Sequence, residues 1–363
     1  MLDQSKVETT LRFLRSCLLV VAVAGIDACV SNARGESAHS DPKQGARGAP
    51  YPNMPLIAAI GERTEKYIDV PASSRGPLID KGKGYRLQDL GKGLYMVTDG
   101  VYQSMFLVYD AGVVVIDAPP SYAARIPDAV AEVTPKPITH LIYSHSHTDH
   151  IGGAKSLGDN LVIIGHRETL GLLERANDPN RPLPTVTFAN QYTLHVGSQT
   201  LELSYPGNAH EPGNIFIFAP AQRVLMVVDV VFPGWMPWRR FALAHDIPAY
   251  FAQVEYIARK KDWDTLVGGH VSRTGTHADV YLQIEFNRDV KQAAAKALAT
   301  TKLGVGLNPL DQANPWAAFD NYIDRVAAQC VNALTPKWSS KLAGYDVFVW
   351  DQCYAMEQSL RIE

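Results

Sequence analysis

The sequence is short of several things. It holds four cysteines in 363 residues, at positions 17, 29, 330 and 353. That count and spacing exclude a clustered thiolate metal site. Charge of one sign is also missing: 34 Lys and Arg stand against 37 Asp and Glu, a net charge of −3. No basic run appears, so a nucleic-acid partner has no electrostatic support. Internal repeats are absent. The apolar run "SCLLVVAVAGI", 16–26, is shorter than the roughly 20 residues that span a bilayer.

That run follows Lys6, Arg12 and Arg15, the pattern of an export signal. "SNA" at 31–33 offers a cut after Ala33, and "IDAC" at 26–29 resembles a lipoprotein processing site with Cys29 as the lipidated residue. The polar tract "RGESAHSDPKQGARGAP" that follows reads as a linker. The expected organisation is a signal over 1–33 and a linker and extension over 34–84. A catalytic domain over 85–279 and a helical extension over 280–363 complete it. The expected location is the periplasm or the exterior. Cys330 and Cys353 then remain in the mature chain, as a disulfide or as two buried thiols; an oxidising compartment favours the bridge.

With 46% hydrophobic and 20% charged residues, the chain can build a full core. From about Leu94 it alternates. "GLYMVTDG", "SMFLVYDAGVVVIDAPP", "ITHLIYS", "LVIIGH", "QYTLHV", "QTLELSY", "NIFIFAP", "RVLMVVDVV" and "DTLVGGH" read as strands. "SYAARIPDAVAEV", "GGAKSLGDN" and "IPAYFAQVEYIARKK" read as helices between them. That order favours two sheets sandwiched between helices. Two long helices follow, "DVYLQIEFNRDVKQAAAKALATT" and "PWAAFDNYIDRVAAQCVNAL", the first behind Thr276 and Asp279 at capping-box spacing.

The chemistry gathers in "SHSHTDHIGG", residues 144–153, directly after a strand. In extended backbone residues i and i+2 point the same way, so His145 and His147 can hold one ion together. Asp149 and His150 follow where the chain turns and can face a neighbouring ion. Imidazole and carboxylate without thiolate suit zinc, and also iron or manganese. Further ligands stand at later strand ends: His210 in "YPGNAHEPGN", Asp229 ending "VLMVVD", and His270 ending "DTLVGGH". A carboxylate ending an apolar strand needs a partner or a metal.

His-x-His-x-Asp-His, followed by a distant His, Asp and His, resembles the metallo-β-lactamase superfamily over about residues 90 to 275. The resemblance implies a four-layer αβ/βα sandwich, here with a C-terminal helical appendage. It implies a first metal on His145, His147 and His210, a second on Asp149, His150 and His270, and Asp229 bridging them. Asp117 in "VVVIDAPP" matches an aspartate that braces the metal loop without ligating. Asp229, where some β-lactamases carry Cys, is similar to glyoxalase II and lactonases. His147 stands where the oxygen-reducing diiron branch typically has a carboxylate. Val228 departs from the Gly that many relatives have there.

Two zinc ions in such a cradle lower the pKa of a shared water and polarise the scissile group, with Asp149 and Asp229 as catalytic carboxylates. The expected function is an exported dinuclear zinc hydrolase cutting an ester, lactone or amide-type bond of a small molecule. The alternatives are a β-lactamase and a mono-iron sulfur or persulfide oxygenase on the same fold. Export argues against an RNA-processing nuclease and against glyoxalase II itself, and no acidic stretch of the alkylsulfatase kind lies between the motifs. Phe232, Trp235, Met236 and Trp238 in "FPGWMPWRR" offer a hydrophobic pocket wall or simple loop packing. Tyr102 and Gln103 are further substrate-contact candidates, and Arg273 could meet a substrate carboxylate or sulfate or simply pair with an acidic side chain. Arg239 and Arg240 read as surface charge, and His166, His195 and His245 as structural. The C-terminal helices could cap the site or join two copies of the chain.

Overall fold

The computed structural model describes residues 67–271, 273–305 and 314–363. The expected signal, Cys29 and most of the linker lie outside the described residues.

The first sheet runs in chain order: β1 (Arg86–Gly91), β2 (Leu94–Thr98), β3 (Gln103–Tyr109), β4 (Gly112–Ile116), β5 (Ile138–Ile142), β6 (Val162–His166) and β7 (Val186–Phe188). Its first four strands pair antiparallel and the rest parallel. The second sheet is built from β8 (Gln191–Val196), β9 (Gln199–Ser204), β10 (Phe216–Ala219), β11 (Val224–Val227) and β12 (Thr265–Val267), with β12 added parallel to β11. Eight helical segments are described: α1 (Ile126–Ala131), α2 (Thr148–Ile151), α3 (Arg167–Ala176), α4 (Arg239–Leu243), α5 (Ile247–Arg259), α6 (His277–Thr300), α7 (Pro315–Trp338) and α8 (Tyr345–Ile362). None of the described helices is long and apolar enough to cross a membrane.

The layering follows from period-two side-chain alternation in strands buried on both faces. β4 shows it: Val114 and Ile116 point into the core between the sheets, while Val113 and Val115 join the outer core. The inner core sets Leu94, Met105 and Ile142 against Leu203, Ile217 and Met226 of the second sheet. Outside the first sheet, Ile126, Val130, Ile151 and Leu173 of α1–α3 cover it. Outside the second, Tyr250, Val254 and Ile257 of α5 share one core with Val280, Phe286 and Val290 of α6 and with Trp338 and Val349. The result is helix, sheet, sheet, helix.

The C-terminal helices are therefore part of one packed layer. α6 begins at His277 and crosses position 280. The Thr276–Asp279 capping box is present, and a Cys330–Cys353 disulfide joins α7 to α8. Two expected helices shrink. "GGAKSLGDN" gives a 3₁₀ turn at Ala154–Leu157 that ends at Gly158, whose φ of 125° is closed to most residues. "SYAARIPDAVAEV" gives a 3₁₀ turn and the six residues of α1. β1, β7, α3 and α8 had no individual expectation.

Candidate metal centre and substrate cavity

All seven expected ligands converge at one edge of the two sheets. β5 delivers His145 and His147, and the chain then turns into α2 with Asp149 and His150. Candidate ligand atoms of His145, His147, His210 and Asp229 lie within 4.8 Å of one another, as do those of Asp149, His150 and His270. Asp229 stands between the groups. Its Oδ2 is 3.5 Å from His145 Nε2, 3.3 Å from His210 Nε2 and 3.2 Å from His150 Nε2, and its Oδ1 is 3.0 Å from His270 Nε2.

His145 Nε2 and Asp229 Oδ1 are buried and have no hydrogen-bond partner. Buried polar atoms rarely stay unpaired, and an ion among these donors would satisfy them. The residues therefore fit a metal centre. Nitrogen and oxygen donors without sulfur suit zinc, iron or manganese alike.

The surrounding residues orient the ligands. Ser144 Oγ lies 2.9 Å from His145 Nδ1, which leaves Nε2 facing inward. His147 Nδ1 faces His210 Nε2 at 3.2 Å, while its Nε2 lies 3.5 Å from Glu211 Oε1. Glu211 also accepts from the Ser146 amide at 3.0 Å and the Ser146 hydroxyl at 2.6 Å. This buried carboxylate was not expected from the sequence. Its signal was an acid beside His210 in a Gly- and Pro-rich loop. Asp117 braces the loop as the resemblance implied: its Oδ1 accepts from the Ser144 amide at 2.8 Å. Asp117 and Asp229 both take left-handed backbone, with φ of 60° and 63°. Such conformations persist where surrounding structure fixes them.

Val228 costs nothing in shape because the neighbouring chain makes room. A Cβ on Gly269 would stand 2.5 Å from Val228 Cγ1. Gly269, at φ 83°, lets the chain pass and swing His270 into place. Gln103 fixes the same turn by donating to Val271 O at 2.7 Å and Arg273 O at 2.9 Å. It is a structural residue, buried behind the site, and not a substrate contact.

Burial works against charge on these groups, and the neighbours decide who keeps it. His145 is held well below the usual histidine value by burial and by the adjacent His147, His150 and His210. Burial also lowers His147, against the pull of Glu211. For His150 burial is outweighed by Asp229, Asp149 and Asp117, and its pKa rises to about 9. Asp229 reverses its own burial penalty through His150, His270 and His210 and lies well below the ordinary carboxylate range. Burial pushes Asp117 up to about 6.

A cavity of about 640 Å³ opens over the ligands. Phe232, Trp235, Met236 and Trp238 line it, with Tyr102 among the other lining residues. Tyr102 packs on the ligand rings, 4.9 Å from His270 and 5.7 Å from His150 between centroids. Val101, Ala242, Leu243, Val271 and, from α8, Phe348 complete the apolar wall. Phe348 had no signal in the sequence, since it lies 119 positions after Asp229.

Arg273 is the correction. It was a substrate-contact candidate, but it does not line the cavity. Its guanidinium pairs with Asp279 at 2.6 and 3.1 Å and donates to Thr274 O at 3.0 Å. It thereby ties the loop after His270 to the first turn of α6. Arg239 pairs with Asp351 at 3.1 Å at the surface, and Arg240 lies over Tyr354. His166 caps α3, His195 sits on the exposed face of β8, and His245 is exposed.

Residues 97–292 match the family model of the metallo-beta-lactamase superfamily. The chain belongs to the metallo-β-lactamase superfamily. Among curated relatives, it is 28% identical over 228 residues to the "2,4-dinitroanisole O-demethylase subunit alpha" of Nocardioides sp. (strain JS1661), covering 59% of this chain and 65% of the relative. It is 27% identical over 176 residues to the "Metallo-beta-lactamase type 2" of Elizabethkingia meningoseptica, covering 44% and 69%. The chain thus spans just under two thirds of the first of these relatives. A solved metallo-beta-lactamase from Pontibacter korlensis superposes with a TM-score of 0.49 at 17% identity, covering 56% of this chain and 99% of that one.

Proposed function

We propose that this protein is an exported two-zinc hydrolase that cuts an ester-type bond in a small, uncharged, apolar or aromatic substrate. The observation that carries the two-metal reading is Asp229, whose carboxylate lies 3.0–3.5 Å from four histidine Nε2 atoms drawn from both ligand groups. A carboxylate there is placed to span two ions. Bound zinc would supply an acidified water and polarise the scissile carbonyl.

The chain's own residues supply the rest. Asp149 is half-exposed at the cavity floor. It is placed to take a proton from the attacking water and return it to the departing alkoxide. Water adds to the acyl carbon, the carbon–oxygen bond breaks, and the acid and alcohol leave. The aromatic wall excludes bulk water and holds the leaving group. Among the described residues no Lys or Arg lines the cavity, so a carboxylate or phosphate lying away from the metals would find no cationic side chain there. The curated relative named for demethylating dinitroanisole, a neutral aromatic, agrees with that substrate class.

The β-lactamase reading is supported by the names of relatives, but among the described residues no Lys or Arg of this cavity is available to a β-lactam's carboxylate. The export reading is supported by residues 1–33 and by the Cys330–Cys353 disulfide, which suits an oxidising compartment.

Total-metal analysis with a substrate panel tests the proposal. The panel is an aryl ester, a lactone, an aryl methyl ether, a cephalosporin and an anionic ester. Two zinc equivalents and preference for the neutral aryl ester are expected. One iron per chain with oxygen consumption, or preference for the anionic substrates, overturns it.

A further inference from the structure

We propose that α8 is a selecting wall of the substrate cavity and that Gln352 is a positioning residue that sets the shape of that wall. The proposal rests on the cavity being the substrate pocket. Its structural half stands independently of that reading.

The wall segment α4 is unusual. Arg240, Phe241, Ala242 and Leu243 all have left-handed backbone, with φ between 51° and 58°. None is glycine, and the left-handed region crowds the Cβ of each against the following carbonyl. A run of this kind needs restraint beyond its own backbone bonds, Ala242 N to Trp238 O at 2.9 Å and Ala244 N to Arg240 O at 3.2 Å. The restraint comes from a helix more than a hundred residues later.

Gln352 is fully buried, and every hydrogen bond its side chain makes goes to this segment. Its Nε2 donates to Pro237 O at 2.6 Å and Trp238 O at 2.9 Å, and its Oε1 accepts from Phe241 N at 2.6 Å. One carboxamide therefore uses both donors and its acceptor on the backbone entering the left-handed turn. Removing it leaves Pro237 O and Phe241 N unpaired in a buried place, while Trp238 O keeps the Ala242 amide as a donor. The preceding loop is held by the same end of the chain. Met236 N donates to Ala343 O at 2.9 Å, and Ala343 N donates to Gly234 O at 3.1 Å.

The position matters because of what the segment carries. Trp238, Ala242 and Leu243 line the cavity. Phe348, four residues before Gln352 and so on the same face of α8, lines it too. Cys353, the next residue, is bonded to Cys330 on α7, which fixes the clamp against its neighbour helix. α8 thus contributes one wall directly and shapes another through Gln352, while supplying none of the seven candidate ligands.

The test uses the metal-loaded full-length chain with Gln352→Leu and, separately, Phe348→Ala. Backbone hydrogen exchange over 237–243 reads the clamp. Gln352→Leu is expected to lose protection there while 144–150 keeps it. Wild-type protection over 237–243 overturns the proposal whether or not any substrate is found. Selectivity is read as the kcat/KM of a naphthyl ester divided by that of a methyl ester. Both variants are expected to lower the ratio about tenfold, mainly through KM, the size of effect one misfitted apolar group produces. Equal loss on both esters in both variants overturns the selecting role. If neither ester is turned over by the wild type, the hydrolase reading fails instead. Quenching of tryptophan fluorescence by 1-naphthol then reads the wall directly: weaker binding in both variants supports the proposal, and unchanged binding overturns it. Phe348→Ala removes no hydrogen bond, so it keeps the question open to refutation if Gln352→Leu does not fold.

Discussion

The Nε2 atoms of His150 and His270 lie 3.1 Å apart, and the Asp229 carboxylate lies within 3.2 Å of both. Two imidazole nitrogens and a carboxylate this close can hold one metal ion between them. Without metal, Asp229, Asp149 and Asp117 favour a proton on His150 against its burial and raise its pKa to about 9. A metal ion must displace that proton.

Metal affinity is therefore expected to rise with pH, by about tenfold per pH unit below 9 for the site that uses His150, and to level off above it. Competition with a chromophoric chelator across that range measures the slope; a flat profile contradicts the assignment. The metal-free fold has the opposite trend. A histidine raised from 6.5 to about 9 on folding adds stability that is fully present below 6.5 and lost as pH rises through 9. Metal-free protein should melt at lower temperature at high pH, as far as this group is concerned.

Asp229→Ala and His147→Ala are expected to reduce hydrolysis to background. Asp229→Ala should also lower the metal content of both sites, because its oxygens face ligands of each. Metal analysis beside the rate assay separates this from misfolding. Full activity after exhaustive chelation would remove the metal mechanism altogether.

Asp117→Ala and Glu211→Ala touch no candidate metal position but free the loop that carries His145 and His147. Such outer partners typically contribute about 10–100-fold in metal affinity or activity. Both variants should need more zinc for half-maximal activity. A normal zinc requirement would leave both residues with a packing role only.

Loss of the Cys330–Cys353 bridge is expected to destabilise the fold by about 3 kcal/mol, the loop-closure value for a separation of 23 residues. Chemical denaturation of the oxidised chain and of a double Cys→Ala variant gives the difference directly. The unfolding midpoint of the first should fall with reductant, and that of the second should not.

Arg273→Ala is expected to cost about 1 kcal/mol, since its partly buried pair with Asp279 is screened at its edge. It should leave the ratio of rates on neutral and anionic substrates unchanged. A specific loss on anionic substrates would return Arg273 to the binding site.

The ligand set was legible because its chemistry is local and its residue types are rare in such company. His145, His147, Asp149 and His150 sit within one short stretch, and Asp229 ends an apolar strand where an unpaired carboxylate would be costly. The sandwich was legible because β4, β5 and β11 keep strand patterns of apolar residues. What stayed hidden was set by partners distant in sequence. Glu211 looks like any loop acid until Ser146 is seen beneath it. Arg273 looks like a free cation until α6 brings Asp279 to it. Gln352 is a polar residue in an amphipathic helix, and nothing near it in sequence announces Pro237 or Phe241. The left-handed turn is likewise invisible, since "RRFAL" has ordinary helical propensity.

The division of labour between the sheets and α8 bears on how such a protein can change over time. The seven candidate ligands are fixed by strand ends and their loops, where a small displacement disturbs both ligand groups at once. Part of the cavity wall above them is borrowed from a helix that supplies none of the seven. Substitutions along α8, or an exchange of the whole C-terminal segment for another, can retune what enters the cavity while the reaction beneath it stays the same.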